Sequence, residues 1–243
     1  MNNFELVPCA NAGELARAAA GAWLDKIEAA NRAGKPYYAA LSGGRIAPAF
    51  FASTVGQARA RAVRFDRVHF FWADERCVPP GDPESNFRIA RELLLAPLGI
   101  PESQIHCVRG EDPPEIAAAG AEAEIRRIVP LNDARQPALD LVLLGLGEDG
   151  HVASLFPGEP EEWMSSQAVY RAITNSPKPP PKRVTLGYAA VAAAKQAWVL
   201  VSGAGKEKAL RDSLAGSGKT PFARVLKLRN RTKIFTDVPR LKC

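Results

Sequence analysis

Residues Leu139–Gly158 read LDLVLLGLGEDGHVASLFPG. The first part, Leu139 to Leu144, is the most strand-like run of the chain, and it opens at once into a turn with glycines at 145, 147 and 150. A strand apolar at nearly every position has no solvent face, so it belongs in a sheet covered on both sides, as parallel sheets are. The same grammar recurs outward from this stretch. Tyr37 to Leu41 leads into Ser42-Gly43-Gly44, and Val68 to Ala73 into a polar loop with Pro79, Pro80, Gly81 and Pro83. Gln196 to Val201 leads into Ser202-Gly203-Ala204-Gly205-Lys206. Helical stretches separate these strands. One follows the capping pair Asn11/Glu14 and runs to about Asn31; others cover Pro48 to Arg61, Asn86 to Leu95, Glu115 to Ile128 and Lys206 to Leu214. Arg183 to Leu186 reads as a further strand, and the Pro-rich Ser176 to Lys182 as a surface loop.

Such alternation predicts an α/β fold, a mostly parallel doubly wound sheet with helices on both faces, with or without a small subdomain, and residues 1–243 as a single domain. Ligands of such sheets bind beyond the carboxyl ends of the strands. The loops 42–47, 74–86, 145–158 and 202–206 are therefore the candidate site.

The chain has 243 residues, 47% of them hydrophobic and 24% charged, which excludes a disordered, collagen-like or small disulfide-scaffold protein. Its formal net charge is +6. From Lys219 to Cys243 there are eight basic residues and one acid, Asp237, so this segment reads as a solvated basic edge with its acids elsewhere, or as a tail that binds nucleic acid or an acidic surface. No nucleic-acid signature is visible in the rest, and no nucleic-acid partner is expected. Cys9, Cys77, Cys107 and Cys243 form no CxxC pair, no apolar run approaches a membrane span, and Glu5 stands where a signal peptide would be basic. A cytoplasmic protein without a membrane partner is expected.

Two phosphate-loop patterns are set aside on context. Gly145, Gly147 and Gly150 satisfy G-x-G-x-x-G, but Pro157 and Gly158 interrupt the long helix that a dinucleotide site requires, and no acid stands near position 170. Ser213 to Thr220 imitates a nucleotide P-loop, but a helix precedes it where a strand should. In the remaining loops, Asp149 stands two residues before His151, which suits an imidazole oriented by a carboxylate for general-base work, although an incidental turn histidine has the same sequence. Arg76 can grip a phosphate through its fork, with Asp74 and Glu75 beside it; a solvated salt-bridge cluster would read alike. Ser42-Gly43-Gly44-Arg45 can turn backbone N–H groups toward an anion, and Lys206 adds a cation past another strand. His69 and His106, in or beside apolar strands, read as structural, and three dispersed histidines without a thiolate pair make no metal site.

Taken in order, five stretches resemble the 6-phosphogluconolactonases of the glucosamine-6-phosphate isomerase/deaminase superfamily. They are LSGG at 41–44, DERCVPPGDPESN at 74–86, LDLVLLGLGEDGHVASLFPG at 139–158, PPKRVTLG at 180–187 and VSGAGKEKAL at 201–210. The resemblance implies hydrolysis of 6-phospho-D-glucono-1,5-lactone to 6-phospho-D-gluconate, the second step of the pentose phosphate pathway, with no metal and no organic cofactor. It implies His151 as the general base acting on water and Asp149 as its support. Arg76 and Lys206 would hold the phosphate or developing negative charge, with Ser42, Gly43, Gly44 and Asp74 assisting and Arg183 nearby. A monomer or weak homo-oligomer acting on a phosphorylated sugar lactone is expected.

The chain departs from the family pattern in places. The usual SGGSTP is SGGRIAP at 42–48, one residue longer, so Arg45 is expected to share the phosphate; Val152 and Gly187 replace common threonines. The alternatives are an aminosugar-phosphate deaminase/isomerase and a non-enzymatic sugar-phosphate-binding module. The first normally has Asn-Glu-Pro after its histidine loop and Asp-Glu-Tyr where this chain has Asp74-Glu75-Arg76.

Overall fold

The computed structural model describes residues 3–215 and 218–239. A strand absent from the sequence reading, β1 (Phe4–Pro8), comes first; the predicted alternation then follows with α1 (Ala12–Arg32), β2 (Tyr37–Leu41), α2 (Ala47–Ala60) and β3 (Val68–Trp72). After them come α3 (Asn86–Ala90), which continues as a π-helical turn Arg91–Leu95, then α4 (Pro114–Ile128), β5 (Leu141–Gly145), the short helices α5 (Glu161–Ser165) and α6 (Tyr188–Ala193), β8 (Ala197–Val201) and α7 (Glu207–Leu214). Asn11 caps α1 by accepting from the Glu14 N–H at 2.9 Å, and Glu14 accepts from Ala10 N–H. The inner face of α1 carries Leu15, Ala19, Trp23 and Ile27, and the Trp23 ring stacks on Phe50 of α2 and meets Phe70 of β3 edge-on.

Six strands form an all-parallel sheet in the order β1-β9-β8-β5-β2-β3, β9 being Thr232–Thr236, with helices packed around it. Apart from β1 at the far edge, chain order runs outward from the middle in both directions, and it reverses between β2 and β5, where Ala39 pairs with Leu141 and Ala40 with Val142. That switch point opens a crevice at the carboxyl ends of two adjacent strands, between Ser42 and Leu146.

Two differences from the sequence reading stand out. Residues 74–76, expected in a loop, form a strand, β4 (Asp74–Arg76), which pairs with β7 (Arg183–Leu186). With β6 (Tyr170–Ile173) they make a second, antiparallel sheet in the order β4-β7-β6. A three-residue strand of charged side chains shows no hydrophobic alternation, so only its partner reveals it. Ala73 joins the two sheets: its N–H donates to Leu41 O and its carbonyl accepts from Leu186 N–H, both at 2.7 Å.

The C-terminal basic segment is also no solvated edge. Residues Pro221–Leu228 form α8, and β9 lies inside the sheet. Its cations are dispersed: Arg229 is buried and donates to the Val191 and Ala192 carbonyls, Arg224 lies over Tyr188, and Arg231 and Lys233 pair with Glu5 on β1. Arg240, Lys242 and Cys243 lie outside the described residues, as do residues 216–217 of the P-loop look-alike. Finally, His69 and His106 form a chain with Glu124, each link 3.0 Å. Among the described residues no helix is long and apolar enough to cross a membrane.

Candidate active site

A cavity of about 410 Å³ fills the switch-point crevice. Ser42, Gly43, Gly44 and Arg45 enter it from the turn after β2, Asp74 and Arg76 from β4, His151 from the turn after β5, Arg183 from β7 and Lys206 from the turn before α7. Nine of the ten sequence-predicted residues thus line one space. The tenth, Asp149, stands behind His151.

The turn at 145–151 is built to present an imidazole. Gly147 N–H donates to His151 O at 2.8 Å, and Gly150 N–H closes onto Gly147 O at 3.0 Å. Gly150 has φ +84, and a Cβ there would meet the Thr220 side chain at 2.6 Å. Folded this way, the turn places His151 Nδ1 2.5 Å from Asp149 Oδ1, while Phe156 packs against the ring at 4.8 Å between centroids. Nδ1 is thereby engaged, and Nε2 makes no hydrogen bond among the described residues. Burial, helped by the Lys178 ammonium, lowers the histidine's pKa against the opposing pull of Asp149. Burial alone would raise the Asp149 carboxyl, but the hydrogen bond from His151 and the nearby Lys178 ammonium hold it below its ordinary value. At neutral pH the pair is a neutral imidazole donating Nδ1–H to a carboxylate, the form in which Nε2 accepts a proton.

Strand alternation sorts the residues of β4. Asp74 and Arg76 face the cavity and Glu75 faces away. Asp74 is buried and accepts from Ser42 Oγ at 3.2 Å and Ser154 Oγ at 2.8 Å, tying β4 to the loops after β2 and β5. Glu75 accepts from the N–H groups of Arg76, Asn86 and Phe87 and from Ser85 Oγ, which fixes the start of α3. Burial pushes its carboxyl up to about 7 against the pull of those amides. Asn86 in turn donates to Asp74 O at 2.9 Å, and its Oδ1 lies where a Cβ on Gly43 would be, 1.9 Å away. Only glycine fits there.

Arg76 and Arg183 are direct cross-strand partners on β4 and β7. Like charges so placed repel unless an anion or acid lies between them. Arg76 donates to the Glu84 carbonyl at 2.7 Å, with the Glu84 carboxylate at 3.2 Å. Arg183 spends most of its fork on the Pro-rich loop, donating to the carbonyls of Lys178, Pro179 and Pro180. That tether brings Lys178 into the cavity wall, its Nζ 3.5 Å from Asp149 Oδ2. At the mouth, Arg45 Nη2 meets Glu148 Oε1 at 2.7 Å, and burial together with Arg45 lowers the Lys206 pKa. Five cations line the cavity (Arg45, Arg76, Lys178, Arg183 and Lys206) with two carboxylates (Asp74 and Glu148), while Asp149 behind His151 pairs with Lys178 and Glu84 with Arg76, so the lining is net positive. The arrangement can hold a dianion beside a general base. No group of three or more His, Cys, Asp or Glu is placed to hold a metal ion among the described residues.

The sequence profile of the glucosamine-6-phosphate isomerases/6-phosphogluconolactonase family matches residues 10–234. The chain belongs to that family. The 6-phosphogluconolactonase of Streptomyces coelicolor is 36% identical to it over 211 residues, 84% of this chain and 80% of the relative. That of Treponema pallidum is 38% identical over 186 residues, 76% of this chain and 74% of the relative. The solved 6-phosphogluconolactonase of Trypanosoma brucei superposes with a TM-score of 0.83 at 28% identity, over 97% of each chain.

Within this member of the glucosamine-6-phosphate isomerase/6-phosphogluconolactonase family, sequence reading missed four polar residues of the cavity: Asn86, Glu148, Lys178 and Ser202. Asn86 and Glu148 sit inside stretches already singled out, but as neighbours of more conspicuous residues. Lys178 is the instructive case. The lysine is set among prolines in a segment that reads as solvated, and only the Arg183 tether turns it inward.

Proposed function

We propose that the chain hydrolyses 6-phospho-D-glucono-1,5-lactone to 6-phospho-D-gluconate, with His151 as the base that activates water. The observation that carries this reading is the His151–Asp149 pair, 2.5 Å apart, beside a cavity whose lining is net positive. A phosphate carries about −1.5 to −2 charges at neutral pH, which a net-positive lining attracts. Asp149 keeps the Nδ1 proton in place, so His151 Nε2 takes a proton from water as its oxygen attacks the lactone carbonyl carbon. The carbonyl oxygen becomes an oxyanion, for which the cavity's cations supply electrostatic stabilisation. When the tetrahedral species collapses, the C–O bond to the ring oxygen breaks and the imidazolium returns its proton to that oxygen, leaving the open-chain acid. A lactone is an activated ester, so one positioned base and a cationic environment suffice without a covalent nucleophile.

Arg76 and Lys206, with the Ser42–Gly44 turn, hold the 6-phosphate in this reading. Asp74 acts by holding Ser42 and Ser154, and Arg183 chiefly by fixing the loop of Lys178. The whole chain acts as one unit, with the antiparallel sheet as a subdomain that delivers Arg76. The test is acid release from the phosphorylated lactone generated in situ, with ammonia release from glucosamine 6-phosphate followed in parallel. Acid release alone is expected; ammonia release alone would transfer the chain to the deaminase side of its family.

A further inference from the structure

The Gly147–Gly150 turn carries two adjacent carboxylates with different partners. Asp149 holds His151, whereas Glu148 reaches out of the turn to a cation on another loop, 103 residues away in sequence. Its Oε1 accepts from Arg45 Nη2 at 2.7 Å, across the crevice between the ends of β2 and β5. The same carboxylate lies against the turn that precedes α7, since a Cβ on Gly205 would stand 3.1 Å from Oε1. Lys206, the next residue, feels both members of the pair, Arg45 disfavouring its charge and Glu148 favouring it. The carboxylate thus occupies ground between Arg45 and Lys206 at the mouth of the cavity. An incoming phosphate would be drawn to the same ground.

We propose that Glu148 is an internal competitor for the phosphate-binding cations, occupying Arg45 until a phosphorylated ligand displaces it. This rests on the phosphate reading of the cavity given above. The exchange is physically easy. Arg45 and Glu148 are 72% and 56% exposed, joined through one guanidinium nitrogen, and such pairs contribute little. A phosphate has more charge and more acceptor oxygens than the carboxylate it replaces, and it engages Arg45 and Lys206 together. A ligand without the phosphate gains nothing from opening the pair, so Glu148 acts as a specificity-determining residue that disfavours weakly anionic sugars.

The test is a double-mutant cycle on binding, read by calorimetry at low ionic strength with 6-phosphogluconate and inorganic phosphate as probes and gluconate as control. Glu148→Gln in the otherwise unchanged chain is expected to tighten both phosphorylated probes about twofold to fivefold, the range that an exposed ion pair can withhold. In an Arg45→Ala background the same substitution is expected to change binding less than about 1.5-fold, because the cation for which Glu148 competes is gone. Glu148→Ala repeats the cycle with a side chain that cannot bond to Arg45 at all. Equal tightening in both backgrounds would mean that Glu148 acts only through the general field and overturns the competitor. No tightening in either would do the same. If the unaltered chain binds gluconate as well as 6-phosphogluconate, the phosphate reading itself fails, an outcome separate from the loss of coupling.

Discussion

The imidazole of His151 lies so close over Gly147 that a Cβ on that glycine would stand 1.9 Å from Nδ1 and 2.5 Å from Asp149 Oδ1. The residue missing a side chain is as much a part of the site as the two that bear one. Gly147→Ala is expected to push the ring off its carboxylate and lower kcat by about 10²-fold or more, while the thermal unfolding midpoint moves far less. Steady-state acid release and a melting curve on the same preparation check this; unchanged kcat would show that the ring has room to yield.

Replacing His151 by Asn or Ala is expected to lower kcat by about 10²- to 10⁴-fold in a folded protein. The active form is the neutral imidazole, so activity falls as pH drops through the histidine's pKa. Because burial sets that pKa below the ordinary value of about 6.5, the midpoint of the acid limb of kcat/KM should lie below 6.5. A limb centred above 6.5, or near-normal kcat in His151→Ala, contradicts the base assignment.

Lys178 faces both members of the pair, disfavouring a proton on each. Lys178→Met removes that charge, so the His151 pKa rises and the acid limb moves to higher pH. Asp149 from the same turn and Asp74 from β4 remain as the other charged groups acting on His151. Lys178→Arg should restore the wild-type limb. A pH profile identical in all three proteins would reduce Lys178 to a bystander.

Arg76→Ala removes a cation of the phosphate region, and one charge-assisted contact is worth roughly one to two decades in kcat/KM. That loss is expected for the phosphorylated lactone and not for unphosphorylated glucono-1,5-lactone. Equal losses on the two substrates would place Arg76 elsewhere in the mechanism.

How much of this was legible in the sequence follows from what each element needs in order to form. Strand β2 occupies Tyr37–Leu41 as read, and the turns at 42–45 and 145–151 meet as the switch-point rule requires, because continuous apolar strands and glycine turns are local signals. Strands β1, β4, β6 and β9 were not visible. They are short or partly charged, and they exist because β7, β8 and β9 supply hydrogen-bonding partners far away in sequence. The histidine was legible because its carboxylate lies two residues away. Lys178 was not, since its place depends on Arg183, and Arg45 showed its unusual position but not Glu148 as its partner.

Ala73 ties both sheets with its own two backbone groups, so the parity of the chain there decides the electrical sign of the site. Side chains of β4 alternate, and Ala73 begins the count that sends Asp74 and Arg76 inward and Glu75 outward to α3. One inserted residue at this weld would turn Glu75 toward the substrate and Arg76 toward the helix, putting a carboxylate where an anion must bind. Two inserted residues would keep the polarity and shift only the reach. Length variation in lineages descended from this sequence should therefore come in even steps between Trp72 and Asp74, or not at all.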